Sequence, residues 1–126
     1  TALRRTILKA LHDGGTNIAL GTDSPQIFSV PGFAIHHEME LYVDIGMTPY
    51  EVLEIGTRKP AEYFNATADF GTVAVGKRAD LVLLTSNPLD DIANAARRAG
   101  VMVNGQWFPE DEIQARLTEI ASFYGN

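Results

Sequence analysis

The chain has 126 residues, of which 45% are hydrophobic, and it carries a net charge of −6 at pH 7. This length is sufficient for one domain with a hydrophobic core, while the acidic balance and the absence of a long basic run argue against a nucleic-acid surface. No apolar run approaches the roughly 18 residues that cross a bilayer, and a chain without cysteine forms neither disulfides nor thiolate metal sites.

The first residues predict a helix followed by a short buried strand. Hydrophobic residues recur at helical spacing from Leu3 to Leu11 and indicate a helix over residues 2–13, which the glycine pair at 14–15 ends. Residues 17–21 then read as a buried strand. This order is typical of an α/β unit, in which chemistry collects at the carboxyl ends of parallel strands.

A loop and a series of helices follow. Residues 24–32 contain two prolines and predict a loop, and residues 33–45 predict a helix. Thr48 is a good N-cap, Pro49 suits the first helical position, and Glu51 completes a capping-box pattern. The remaining elements of this half are a helix from 49 to about 58, a break or restart at Pro60, and a short helix over 61–64.

The second half is rich in β signals and ends in a helix. Strands are predicted over 71–76, 79–85, 100–103 and 106–108, with a loop or short helix over 90–97. Asn104-Gly105 is a strong signal for a two-residue hairpin. We expect Trp107 and Phe108 to fill the core of this β region. Pro109 opens the last helix, with an apolar stripe at Ile113, Leu117, Ile120 and Tyr124.

Taken by itself, the chain predicts an α+β arrangement with an incomplete sheet. The single strand at 17–21 cannot form a sheet, so it must pair with another chain or with sequence absent here. Because the chain begins without Met in what reads as the middle of a helix, we expect a piece of a longer protein.

Asp23 is the strongest candidate for a functional residue. It stands where the predicted strand opens into the loop, within Gly21-Thr22-Asp23-Ser24-Pro25. A carboxylate in this position can hold a metal or accept a proton. It can equally form a local turn with Ser24 and Pro25. The pentapeptide leaves these alternatives open.

Five motifs in order resemble the C-terminal part of the amidohydrolase superfamily, and more closely its branch of imidazolonepropionase-like enzymes and metal-dependent dipeptidases. The most specific is the Gly-x-x-Ala-Asp-Leu-Val segment at 76–82. The motifs span residues 21–23, 32–40 with 46–53, 57–61, 71–82, and 87–89 with 101–105.

The resemblance implies an α/β fold that combines the last βα unit of a TIM barrel with the C-terminal part of a small composite β-sandwich. Residues 1–68 would form the end of the (β/α)8 barrel, 69–108 the sandwich strands, and 109–126 a terminal helix. The parent would hydrolyse an amide, cyclic amide or dipeptide bond with one or two divalent metals, commonly zinc.

In this family Asp23 would be both metal ligand and acid/base. The other ligands are drawn from a His-x-His pair, a carboxylated Lys or a Glu, and further histidines, and none of these motifs occurs here. We expect His12 to be a surface residue. His36 and His37 are adjacent on a helix and point about 100° apart, so they cannot chelate one ion together.

The loop after Asp23 would border the substrate. Ser24, Phe28 and Phe33 could line its wall or only pack the loop onto the barrel rim, and His36 or His37 could face the mouth of the site or serve only in packing.

We expect the isolated piece to be inactive, because one ligand cannot hold a catalytic metal. Expected partners are a small amide or dipeptide substrate, with neither nucleic acid nor membrane, and open strand edges allow a homo-oligomer. We expect a cytoplasmic location. The alternative is a self-sufficient α+β binding or assembly module without catalysis; an enzyme using a single Asp without metal is a weaker rival.

Overall fold

A computed structural model describes residues 2–27 and 29–125. Within them lie α1 (Ala2–Asp13), α2 (Ala34–Asp44), α3 (Pro49–Gly56), α4 (Arg58–Tyr63), β1 (Leu81–Leu84), a 3₁₀ helix (Ile92–Ala96), β2 (Arg98–Val103), β3 (Gln106–Pro109) and α5 (Glu110–Tyr124).

The predictions for α1 and α2 are confirmed to within a residue or two at their ends. Gly15 follows α1 with a φ of +73°, and Gly46 follows α2 with a φ of +101°. Both glycines adopt the left-handed backbone that ends a helix at little cost for a residue without Cβ.

The start of α3 is a complete capping box. The Thr48 hydroxyl accepts the Glu51 N–H at 3.3 Å, and the Glu51 carboxylate accepts the Thr48 N–H at 2.7 Å. Pro49 occupies the first helical position, where its missing N–H costs nothing. The sequence prediction for this helix start is confirmed in every part.

The end of α3 at Gly56 lies within two residues of the prediction, but the predicted break or restart at Pro60 is wrong. The helix is interrupted at Thr57, with φ −132° and ψ −76°, and α4 begins at Arg58. Pro60 is therefore the third residue of α4 and does not break a helix. A proline is tolerated there because the first N–H groups of a helix have no partner within it.

Residues 17–21 do not form a strand, contrary to the prediction. A β-ladder requires a neighbouring strand, and none of the strands within the described residues lies beside residues 17–21. The Leu20 N–H donates instead to the carbonyl of Ile55 in α3, at 3.2 Å. Leu20 also lies close over Gly56, where an added Cβ would come within 2.7 Å of the leucine Cδ1.

The hydrophobic core lies between α2 and α3 and reaches the 3₁₀ helix. Its buried members are Met39, Tyr42, Met47, Val52, Ile55 and Ile92. Ile18 and Leu20 are half-buried and pack against them. The stretch around residues 17–21 is therefore anchored by side-chain packing on one of its sides.

The strands form an antiparallel sheet in the order β1-β2-β3. Asn104 and Gly105 have φ values of +54° and +81°, as a two-residue hairpin turn of the predicted kind requires. Asp80 ties this turn to the start of β1, because its Oδ1 accepts the Asn104 N–H at 2.7 Å and its Oδ2 pairs with Arg78 Nε at 2.7 Å.

The predicted strand at 71–76 does not form. Glycines with φ of +94° and +89° stand at its two ends, and Val73 and Val75 are exposed. Gly71 packs against α4, where an added Cβ would come within 2.6 Å of Ala61. This close approach and the positive φ values favour a turn over a ladder.

The aromatic pair after the hairpin is less buried than expected. Trp107 is 40% exposed and covers Gly100 on the neighbouring strand, while Phe108 is half-buried. The α5 stripe is also only partly confirmed. Ile113 and Leu117 are half-buried, but Ile120 and Tyr124 are exposed, since the contacts of α5 are with β2 and β3.

The accessible surface is large for the mass of the chain. It measures 8885 Å², whereas a folded monomer of 13.7 kDa is expected to expose about 6,600 Å². Exposed hydrophobic side chains, among them Val82 and Leu83 of β1, contribute to the difference. The division into barrel end, sandwich strands and terminal helix remains a prediction.

Candidate functional site

Asp23 lies on the side of its segment that faces away from the core. Burial alternates along the segment of residues 17–24. Ile18, Leu20 and Thr22 are half-buried, and the intervening residues up to Asp23 are exposed. The period of two is typical of a backbone with two faces. The Asp23 carboxylate is therefore presented to solvent and not to the helices beneath.

The Asp23 backbone is in the left-handed region, with a φ of +53°. Asp is one of the few residues other than glycine that visit this region, and such conformations cost about 1–3 kcal/mol when the surroundings must hold them. Sparsely populated backbone conformations concentrate at functional sites. The turn at Asp23 therefore needs support from neighbouring contacts.

Several short-range hydrogen bonds supply part of this support. The Gln26 side-chain amide donates to Asp23 Oδ2. The Ser24 hydroxyl lies 3.0 Å from that of Thr22 and 2.6 Å from that of Ser29. Asp23 thus makes a local contact, as the turn interpretation expects, and is also exposed, as a ligand role requires. Ser24 is half-buried within a cluster of hydroxyl groups.

Glu38 is a residue that the sequence interpretation did not place near Asp23. Its Oε1 accepts the Gly21 N–H at 3.0 Å and the Tyr42 hydroxyl at 3.2 Å. Burial, followed by the Glu38 charge, raises the pKa of Tyr42 to about 12. The position of Glu38 on α2 could have indicated its role, because Glu38 lies on the same buried side of the helix as Met39 and Tyr42. A carboxylate on such a stripe needs a polar partner.

Among residues 2–27 and 29–125, no hydrogen bond or ion pair joins His36 or His37 to Asp23. His36 lines a cavity of about 760 Å³ between the helices and β1, and its Nδ1 is buried without a partner among the described residues. Burial first, then the charge of Arg98, lowers the pKa of His36. His37 is exposed, with its Nδ1 3.8 Å from Glu40 Oε2.

The other candidates are dispersed. Phe33 is 58% exposed at the N-cap of α2, so its ring could border a site above the loop. Phe28 lies outside the described residues. His12, which we expected on the surface, is half-buried, and its Nε2 lies 3.6 Å from Glu51 Oε1.

The described residues do not make a metal site by themselves. Residues 2–27 and 29–125 contain no group of three or more His, Cys, Asp or Glu side chains that could hold an ion. A catalytic zinc site takes about three protein ligands. Asp23 offers one exposed carboxylate, which is fewer ligands than such a site takes.

Residues 2–27 and 29–125 also include no helix with both the length and the hydrophobicity needed to span a bilayer.

Comparison with solved structures shows where this fold occurs. A prolidase-like protein from Bifidobacterium longum superposes with a TM-score of 0.73 at 36% identity, over 88% of this chain and 29% of that one. A Xaa-Pro dipeptidase with bound methionine gives a TM-score of 0.73 at 24% identity, over 83% of this chain and 25% of that one. The chain thus spans only about a quarter of their lengths.

The sequence comparisons agree with the structural ones. An adenine deaminase from Methanosphaera stadtmanae is 48% identical over 42 residues, which are 33% of this chain and 7% of that protein. A model of the amidohydrolase family matches residues 3–108, which include the segment before Asp23, the capping box, β1, β2 and all of β3 except its last residue. The resemblance and the mixed α/β fold class expected from the sequence are confirmed, and the chain belongs to the amidohydrolase family.

Proposed function

We propose that the whole protein is a metal-dependent hydrolase that cleaves a carbon–nitrogen bond in a small amide, cyclic amide or dipeptide. In this proposal Asp23 is one metal ligand and the acid/base of the reaction. The supporting observation is the exposed Asp23 carboxylate, held on the outer side of residues 17–24 in a chain of the amidohydrolase family. A cytoplasmic location and zinc as the metal belong to the same proposal.

In the chemistry proposed for Asp23, one carboxylate oxygen would bind the metal and the other would act on the water. A bound divalent metal would lower the pKa of its water to about 7. The free oxygen of the Asp23 carboxylate can orient a water by accepting its hydrogen bond, take its proton and pass it to the leaving nitrogen. Gln26 donates to Oδ2 and so leaves Oδ1 available. Phe33 would border the substrate on the loop side.

The names of the similar proteins support the bond type. They include an adenine deaminase, the prolidase-like protein from Bifidobacterium longum, a molinate hydrolase and a phenylurea hydrolase. The molinate hydrolase is 28% identical with a TM-score of 0.66, over 79% of this chain and 25% of that one. The alternative, a binding or assembly module without catalysis, lacks an observation of this kind in its favour.

The test uses the whole open reading frame that encodes this chain. The protein would be loaded with Zn²⁺ and assayed with Xaa-Pro dipeptides, cyclic amides and adenine for release of amine or ammonia. Turnover of at least one class is expected, with Asp23→Asn lowering kcat by about 10²–10⁴-fold, the usual contribution of an acid/base. Asp90→Asn, an exposed control, should retain activity.

A second arm concerns the 126 residues alone. We expect no hydrolysis by this piece with Zn²⁺, since it offers one ligand where about three are needed. Metal-dependent turnover by the piece, abolished by Asp23→Asn, would contradict that expectation. Absence of any turnover by the whole protein, or full activity of its Asp23→Asn variant, would contradict the proposed function.

A further inference from the structure

Two hydrogen bonds donated by backbone N–H groups tie the segment before Asp23 to the helices beneath it. The Leu20 N–H donates to Ile55 O at 3.2 Å, and the Gly21 N–H donates to Glu38 Oε1 at 3.0 Å. Leu20 is further held by packing in the core. Gly21 has no side chain to pack, and the bond to Glu38 is a direct contact that holds its backbone.

Glu38 is suited to be a fixed acceptor. It is half-buried, and the hydroxyl of Tyr42, itself buried, donates to the same oxygen that holds Gly21. Since the pKa of Tyr42 is raised to about 12, this hydroxyl keeps its proton at neutral pH and remains a donor. Among the described residues Glu38 Oε2 is buried without a partner, so this second oxygen of the carboxylate is removed from solvent.

We propose that Glu38 is the positioning residue for Asp23, acting through the backbone of Gly21. The bond from the Gly21 N–H to Glu38 fixes the backbone from which residues 22–23 continue away from α2. It therefore determines where the left-handed turn at Asp23 directs the carboxylate. This role deepens the proposed function and rests on it for its catalytic meaning. The structural part, a Glu38 anchor for the turn, can be tested independently.

The structural test compares Glu38→Ala, Glu38→Gln and the control Glu40→Ala by NMR of the whole protein that contains this chain. Glu40 lies on the same helix but is exposed. In Glu38→Ala we expect hydrogen-exchange protection of the Gly21 amide to fall at least tenfold, since its acceptor is lost, and the residual dipolar couplings of Asp23 to shrink. Glu38→Gln retains one acceptor oxygen and should restore most of both.

The Val52 amide serves as a reference for global stability. It donates to Thr48 O in α3, away from the segment. The anchor is supported if Glu38→Ala lowers the exchange protection of Gly21 and the dipolar couplings of Asp23 while the Val52 amide stays protected. It is overturned if all three residues are affected equally, or if the protection of Gly21 does not fall. If Glu38→Ala fails to fold, Glu38→Gln carries the test. A neutral acceptor must move the Gly21 amide proton upfield, and an unchanged shift overturns the proposal.

The catalytic part uses the whole protein, loaded with Zn²⁺ and assayed with a Xaa-Pro dipeptide. Glu38→Ala should lower kcat by about tenfold to a hundredfold, as expected for a misplaced catalytic group, with little change in KM. Glu38→Gln should restore most of kcat. If Glu38→Ala keeps full kcat while Asp23→Asn is inactive, the positioning role fails although the proposed function stands. If the wild-type protein is inactive, the proposed function fails, and the NMR result alone decides whether Glu38 anchors the turn.

Discussion

Replacing Thr48 by Ala should lower the free energy of unfolding, because the Thr48 hydroxyl makes two hydrogen bonds at the start of α3. It accepts the Glu51 N–H at 3.3 Å and donates to Glu51 Oε2 at 2.7 Å. Both are lost in the variant, while the bond from the Thr48 backbone N–H to the Glu51 carboxylate remains possible. Since α3 carries Val52 and Ile55 into the core, fraying of its first turn weakens that packing.

The expected loss is about 1 kcal/mol, the usual cost of removing a threonine N-cap. For a chain of this length 1 kcal/mol corresponds to about 4 °C in Tm. The cap is largely exposed, so the removed bonds compete with water and a larger effect is not expected. Thr118→Ala is the matched control, because Thr118 is an exposed residue inside α5. It should change the unfolding free energy by no more than about 0.5 kcal/mol.

Urea unfolding at several pH values checks both the size and the electrostatic origin of the effect. The Thr48 backbone N–H first, then its hydroxyl, lowers the pKa of Glu51. A lowered pKa means that the stabilisation is present above the unfolded-state value of about 4.3 and is lost as pH falls through the folded value. The difference between wild type and Thr48→Ala should therefore shrink below about pH 4. Contributions of His12 and Lys9 to the Glu51 pKa occur in both proteins.

Two results would refute this reasoning. One is a difference between wild type and Thr48→Ala below about 0.3 kcal/mol at pH 7, which is outside the range for N-caps. The other is a difference that grows as the pH is lowered, since the bond to the ionised carboxylate would then not be its source.

Two further substitutions test the core and the β hairpin. Val52→Ala removes two methyl groups from a residue that is 0% exposed. Unfolding in urea should show that the free energy of unfolding falls by about 2 kcal/mol. A decrease below about 0.5 kcal/mol would contradict the described core. Asp80→Ala removes the acceptor of the Asn104 N–H and the partner of Arg78. Because the Asp80 side chain is 42% exposed, we expect the free energy of unfolding to fall by about 1 kcal/mol, with no measurable change for the exposed control Asp90→Ala. Equal effects of the two substitutions would contradict the tie between the hairpin turn and β1.

Short sequence patterns were sufficient to predict the structure wherever a few neighbouring residues satisfy each other's hydrogen bonds. The capping box at Thr48 and the hairpin at Asn104-Gly105 were predicted from a few neighbouring residues, because their hydrogen bonds and φ values are satisfied within the turn itself. The family resemblance likewise depended on short motifs in order, and residues 3–108 match the amidohydrolase family.

The errors arose where the outcome depends on distant partners. Residues 17–21 have the composition of a strand, but a ladder forms only beside another strand. Residues 71–76 are rich in valine, yet the close approach of Gly71 to Ala61 favours a turn. The contact between Glu38 and Gly21 joins residues 17 apart, and neither periodicity nor spacing reveals such a pair.

The left-handed backbone of Asp23 decides which variants can inform on its role. Alanine is poorly tolerated at a φ of +53°, so an alanine scan would mix a misfolded turn with a missing carboxylate. Glycine would accept the backbone but also loosen it. Asparagine keeps the shape of the side chain, accepts this φ and removes the negative charge together with one of the two acceptor oxygens, so it is the informative replacement.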